Sequence, residues 1–460
     1  MVLAGGVGRA LATAGLVVAA AAAVAFLGPR VGLGLMVVVA ALYLAWMTHP
    51  AWTLSAALML SVFAGNWPEL GIAGRLAPDR LLFVAGIAAV LIRAPAVRDR
   101  PPLYFGAVHW AMVLTVLWFT GSALAAETIS NDGTQFEILE RLGIVPFLLF
   151  LVAPVAFATE HHRRILLGAM VALGAYLGFT ALMETLEFRQ LVLPDYINDN
   201  SVGTHVDRAR GPFVQAVTNG SGLFLGVVAS AIALRVWSGR RWVLVAAGVL
   251  TLCFAGLLFT ETRSVWLGAA VAIVITLLST KELRRVSIPA LAGGAVVVAI
   301  SLAVVPGLYG AVDERRDDDK TVWDRKNLTT AALNMVEAHP LAGIGYDRFT
   351  AESANYFRQS LDYPLTGTDL IIHNLFLTYA AEAGLVGIGL WFVALCLGMF
   401  AALWPPGRGE PQLWQLAVLA YFLFSLVMYN FVFPQLFPIT ALWLLAGVAV
   451  GANSARRAAE

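Results

Sequence analysis

Stretches of about 20 apolar residues, the length a helix needs to cross a bilayer, recur from one end of this chain to the other. Such runs stand near 10–27, 31–47, 51–65, 80–93, 104–125, 142–159 and 165–183, then near 219–236, 242–259, 264–280, 286–306, 374–403, 413–431 and 434–452. Two of the runs are short, so the sequence predicts 12–14 transmembrane helices in an all-α integral membrane protein. Charged residues make up only 13% of the 460, about half the share of a soluble domain. The first run follows Arg9 and resembles a signal peptide; it is read as a retained helix.

The loops between runs sort by charge. One set, with both termini, carries Arg93, Arg98, Arg100, Arg163, Arg164, Arg240, Arg241, Lys281, Arg284, Arg285 and Arg408, and its net balance is +10 against −9 for the other set. Cytoplasmic loops hold the excess of lysine and arginine, so the termini are expected inside. Every long connection then falls outside, near 66–79, 126–141, 184–218 and 307–372. Residues 1–306 form a first set of membrane helices, 307–372 a large extracytoplasmic loop with short helices, and 373–460 the final helices. Loops on a rigid scaffold are where chemistry usually lies, and the inner ones are too short to build a site.

Several chemistries find no support. Cys253 and Cys396 lie in apolar runs, which leaves no disulfide framework and no cysteine metal site. Gly343-Ile344-Gly345 lacks the third glycine of a dinucleotide fingerprint, and no P-loop or nucleophilic triad is present. Asp317, Asp318 and Asp319 read as a solvated turn, since adjacent side chains do not easily converge on one cation. No metal, other cofactor or nucleic-acid partner is expected.

The outer loops do carry candidates. Residues 324–337 read as an amphipathic helix stopped by His339-Pro340, with Leu328, Ala332 and Val336 as its apolar stripe and Arg325 one turn before Leu328 on that side. His373-Asn374 opens the next membrane helix, and an imidazole accepts a proton near neutral pH. Glu382, about half a turn away from His373 around that helix, is expected to bond neighbouring groups rather than pair with it. Arg263 occupies a very short outer connection, either snorkelling beside Glu261 or serving a ligand. Arg208 and Arg210 close the 184–218 loop. Arginines at helix mouths suit a phosphate-bearing ligand, because the planar guanidinium forks onto phosphate oxygens.

These residues resemble a known family. His339-Pro340-Leu341-Ala342-Gly343-Ile344-Gly345, followed by His373-Asn374-Leu375-Phe376-Leu377, Glu382-Ala383-Gly384 and Gly387, is similar to the O-antigen ligase and O-antigen polymerase family. Arg208-Ala209, Gly211, Phe213 and Asn219, and Thr262-Arg263-Ser264, resemble two further motifs of it. The resemblance implies a GT-C-type glycosyltransferase of the bacterial cytoplasmic membrane that moves a glycan from undecaprenyl diphosphate to a hydroxyl on a glycan or lipid-linked acceptor. It implies His373 as the catalytic base and Arg263 and Arg325 as diphosphate ligands, with Arg208 or Arg210 sharing that role. The motif order departs from the family at Thr262-Arg263-Ser264 and at Thr329, where an aromatic residue is usual. A transporter or flippase of a polyprenyl-linked or amphipathic substrate is the alternative from another class.

Overall fold

The computed structural model describes residues 43, 47–72, 74, 77–93, 105–204, 206–304, 319–356, 372–404, 412–431 and 436–459, with the backbone alone in 301–304, 319–324 and 456–459. Among these residues the chain is all helix and turn: it is an all-α integral membrane protein. In order, the helices are α1 (Pro50–Leu60), α2 (Pro78–Arg93), α3 (Ala107–Ala125), α4 (Asp132–Phe136), α5 (Ile144–Ala156), α6 (Glu160–Thr185), α7 (Ala216–Val236) and α8 (Arg240–Phe259). There follow α9 (Arg263–Ser279), α10 (Lys281–Val304), α11 (Asp319–Ala338), α12 (Phe349–Tyr356), α13 (Leu375–Leu403), α14 (Leu413–Met428) and α15 (Leu436–Ala459). Eight described helical segments are long and apolar enough to cross a membrane, and three apolar helices are shorter. The expected spans 10–27 and 31–47 lie outside the described residues, save positions 43 and 47.

Hydrophobicity does not hold helices together inside lipid; close packing at small residues does. In the centre, Gly174 of α6 backs onto Gly226 of α7, and the Cys253 thiol of α8 donates to the Gly174 carbonyl at 3.1 Å. Gly178 lies against Leu252, and Gly256 against Leu223, so α6, α7 and α8 form one tight triplet. Gly447 and Gly451 let α15 approach Phe150 and Pro154 of α5 in the same way. By contrast α10 keeps most of its side chains exposed.

Two of the connections expected outside hold more structure than their sequence suggests. The 126–141 stretch is helical from Asp132 and joins α5 through a π-turn over Glu137–Leu142, where Glu137 pairs with Arg141 at 2.8 Å. Thr134 bonds Asp347 and the Thr128 hydroxyl donates to the Tyr346 carbonyl, which ties this entry to the segment just before α12. The amphipathic helix expected over 324–337 is real but begins earlier, as α11 from Asp319. Asp317 and Asp318 lie outside the described residues.

Candidate functional site

The short turn before α9 sets the first arginine. The Ala209 amide donates to the Phe259 carbonyl at 3.0 Å, the Thr260 hydroxyl to Leu257 at 2.7 Å, and the Trp266 indole to Leu257 at 2.9 Å. Thr262 stands at the N-cap, but its hydroxyl donates to the Thr260 carbonyl at 2.8 Å and caps nothing. The opening amides of α9 thus lack the side-chain oxygen that usually satisfies them. Arg263 is the first helical residue and is exposed. A cation at the positive end of a helix works against the helix dipole, so its presence there adds to an anion-attracting end.

Arg325 reaches the same place from α11. That helix is seated by a small core of Leu328, Ala332, Met335, Phe349, Ile372 and Ala381. Arg325 is exposed rather than sunk into this core. Surrounding protein and then the like charge of Arg263 hold its guanidinium below arginine's ordinary value. The two arginines, 62 positions apart in sequence, are therefore near enough for each to feel the other's charge. Among the described residues neither guanidinium has a hydrogen bond or an ion pair.

His373 is exposed, and Ile372 beside it belongs to the core under Arg325. Asn374 caps α13 by accepting from the Leu377 amide at 3.1 Å, and the Leu375 amide donates to the Tyr429 carbonyl at 2.8 Å. Tyr429 ends α14, which packs along α9 where Gly268 faces Phe424. A short circuit of packed elements thus joins His373, Arg325 and Arg263.

The paired glycine motifs build the frame. At Gly384, φ is 70° and ψ is 179°, which breaks the hydrogen-bond ladder of α13. The 340–345 segment supplies the missing partners: the Ile344 amide donates to Ala381 at 2.9 Å and Gly345 to Glu382 at 3.0 Å. In return the Leu385 amide donates to Pro340 at 2.8 Å and Val386 to Leu341 at 3.4 Å. Gly343 and Gly345 take positive φ to make this run. The Trp118 indole donates to the Ala383 carbonyl at 2.9 Å, so the break is sealed from a third side. The Glu382 carboxylate accepts the Phe349 amide at 3.0 Å, fixing the start of α12. Glu382 is structural, as its position around the helix suggested.

The remaining candidates have other work. Arg210 is buried, and its guanidinium donates to the carbonyls of Ile197 (3.2 and 2.7 Å), Val202 (2.7 Å) and Asp199 (2.6 Å). Glu184 accepts the amides of Arg210 and Gly211 at 3.3 and 3.0 Å, so Arg210, one of the expected diphosphate ligands, pins the 184–218 loop. Arg208 is half-buried, with the Asp207 carboxylate 3.9 Å from its Nε. His109 serves α3, its Nδ1 accepting the Gly106 amide at 3.1 Å. Among the described residues no three His, Cys, Asp or Glu side chains gather as a metal-binding group.

Residues 248–392 match the family model for O-antigen ligase. The match covers about a third of the chain and marks an O-antigen ligase-like domain. That domain takes in Arg263, Arg325, His373 and the whole Gly384 interlock, and leaves out Arg208 and Arg210. The matched family is of the glycosyl-transferring enzyme class, and the match lies within a multi-pass chain. No curated protein matches the chain.

Proposed function

We propose that the protein transfers a glycan from an undecaprenyl-diphosphate donor to an acceptor hydroxyl at the outer face of the cytoplasmic membrane. The carrying observation is the proximity of Arg263 and Arg325, two like charges close enough for one to lower the other's hold on its proton. A fold that holds such a pair together gains by admitting an anion, and a diphosphate matches the forked geometry of two guanidinium groups. The opening amides of α9 add donors aimed at the same charge.

His373, on the edge of the core that seats Arg325, takes the proton of the acceptor hydroxyl. The acceptor oxygen then bonds to the anomeric carbon while the bond from that carbon to the diphosphate oxygen breaks. The electron pair leaves with undecaprenyl diphosphate, where the arginines stabilise the developing charge without a metal. A single displacement inverts the anomeric centre.

The test is transfer by purified protein in liposomes supplied with lipid-linked donor and acceptor. Arg263→Lys and Arg325→Lys keep the charge and lose the fork, so each should cost about 10²–10³ in rate at equal folding. Activity should survive EDTA. Near-normal rates in both variants would remove these residues from the site. Substrate movement without bond exchange would favour a flippase instead.

A further inference from the structure

A large cavity lies away from the arginine pair. It measures about 520 Å³ and runs between α7, α8, α9, α10 and α14. Its lining residues include Arg235, in the last turn of α7, and Glu282, in the first turn of α10. Arg263 opens α9 whereas the cavity follows that helix from Ile273 to Thr280, so cavity and arginine pair are at opposite ends of α9. At 1.5 Å per residue, the 17 residues of α9 separate them by roughly 25 Å.

The walls are almost wholly apolar, with Phe254, Leu250, Val297 and Ala420 among them. Polar groups on the lining are few and differ in kind. Thr251 and Thr280 are satisfied by neighbouring backbone. The Thr276 hydroxyl is enclosed and has no partner among the described residues. Arg235 and Glu282 line the cavity with no hydrogen bond or ion pair among the described residues. An apolar chamber bearing one cation and one anion is complementary to an amphipath whose head carries both charges.

We infer that this cavity is a lipid site that takes one zwitterionic glycerophospholipid bearing a free primary amine. An acyl chain fills the apolar chamber, whose volume falls within the range of about 300–1,000 Å³ usual for small-ligand sites. The phosphate lies against Arg235 and the ammonium against Glu282. A glycerol-headed lipid satisfies only the first, and a trimethylated amine has no N–H to give the second.

The test measures lipid retained by the purified full chain after delipidation and incubation with dioleoyl phosphatidylethanolamine, phosphatidylcholine or phosphatidylglycerol, read by native mass spectrometry. Phosphatidylethanolamine should be retained about tenfold more strongly than either of the others, the worth of one charge-assisted contact. Glu282→Gln should remove its advantage over phosphatidylcholine, and Arg235→Gln should weaken all three. Gly293 lines the cavity and has nothing within 4 Å of a Cβ built on it, so Gly293→Phe fills the chamber and should abolish retention. Equal retention of the three lipids by wild type, or unchanged retention in Gly293→Phe eluting as wild type, would overturn the inference.

Discussion

Replacing Gly384 by alanine tests whether the break in α13 holds the site together. At φ 70° and ψ 179° the backbone sits in a region essentially reserved for glycine, and an alanine there costs about 1–3 kcal/mol. The new Cβ also overlaps the Leu341 carbonyl, so the 340–345 segment must move away. That movement breaks bonds of 2.8, 2.9 and 3.0 Å to Pro340, Ala381 and Glu382, each worth about 0.5–1.5 kcal/mol net. The sum is about 3 kcal/mol or more, equivalent to roughly a hundredfold or greater rise in the opening of this segment. Hydrogen–deuterium exchange of peptides covering 340–349 in detergent reads it directly. Gly389→Ala is the control, since it lies on the same helix with open space at its Cβ and should leave exchange unchanged. Wild-type protection in Gly384→Ala would refute the interlock as a source of rigidity. Equal deprotection in both variants would show that the helix tolerates no added methyl anywhere, which also defeats the reasoning.

The other expectations are simpler. His373→Ala should lower transfer by about 10²–10⁴ while donor binding persists, and full turnover would send the search to another base. Arg210→Lys loses at least two charge-assisted bonds to buried carbonyls and should cost about 3 kcal/mol of stability. The thermal midpoint in detergent should fall while turnover per folded molecule holds; a rate loss at unchanged stability would return Arg210 to the site. Single cysteines placed at Arg240 and Glu337 should react with an impermeant maleimide only from the inner and outer faces respectively, and inner labelling at 337 would invert the topology.

The spans were legible because lipid imposes one demand, a long apolar run, that each helix meets alone. Every expected run from 51–65 onward has its helix, including the short α1 and α9. The apolar stripe of α11 was readable for the same reason, its period being local. Arg210 shows where this stops. Like Arg263 it stands near the start of a membrane helix, and only the carbonyls of Ile197, Asp199 and Val202, brought round by the loop, show that it pins that loop. The proximity of Arg263 and Arg325 was equally beyond local reading, since it depends on α11 docking by Leu328 and Ile372. The glycines of 343, 345 and 384 did carry a signal, two clusters of the one residue that permits positive φ, but not the fact that the clusters answer each other.

That answering has a consequence for biosynthesis. Backbone stripped of helical bonds is tolerated at membrane depth only where protein covers it. Residues 340–345 leave the ribosome before 381–386, so the covering segment has been made by the time the break enters the membrane. The carbonyls of Ala381 and Glu382 are then met by waiting amides, and Trp118 on the older α3 is already in place for Ala383. Order along the chain thereby spares α13 a passage through lipid with its polar backbone bare.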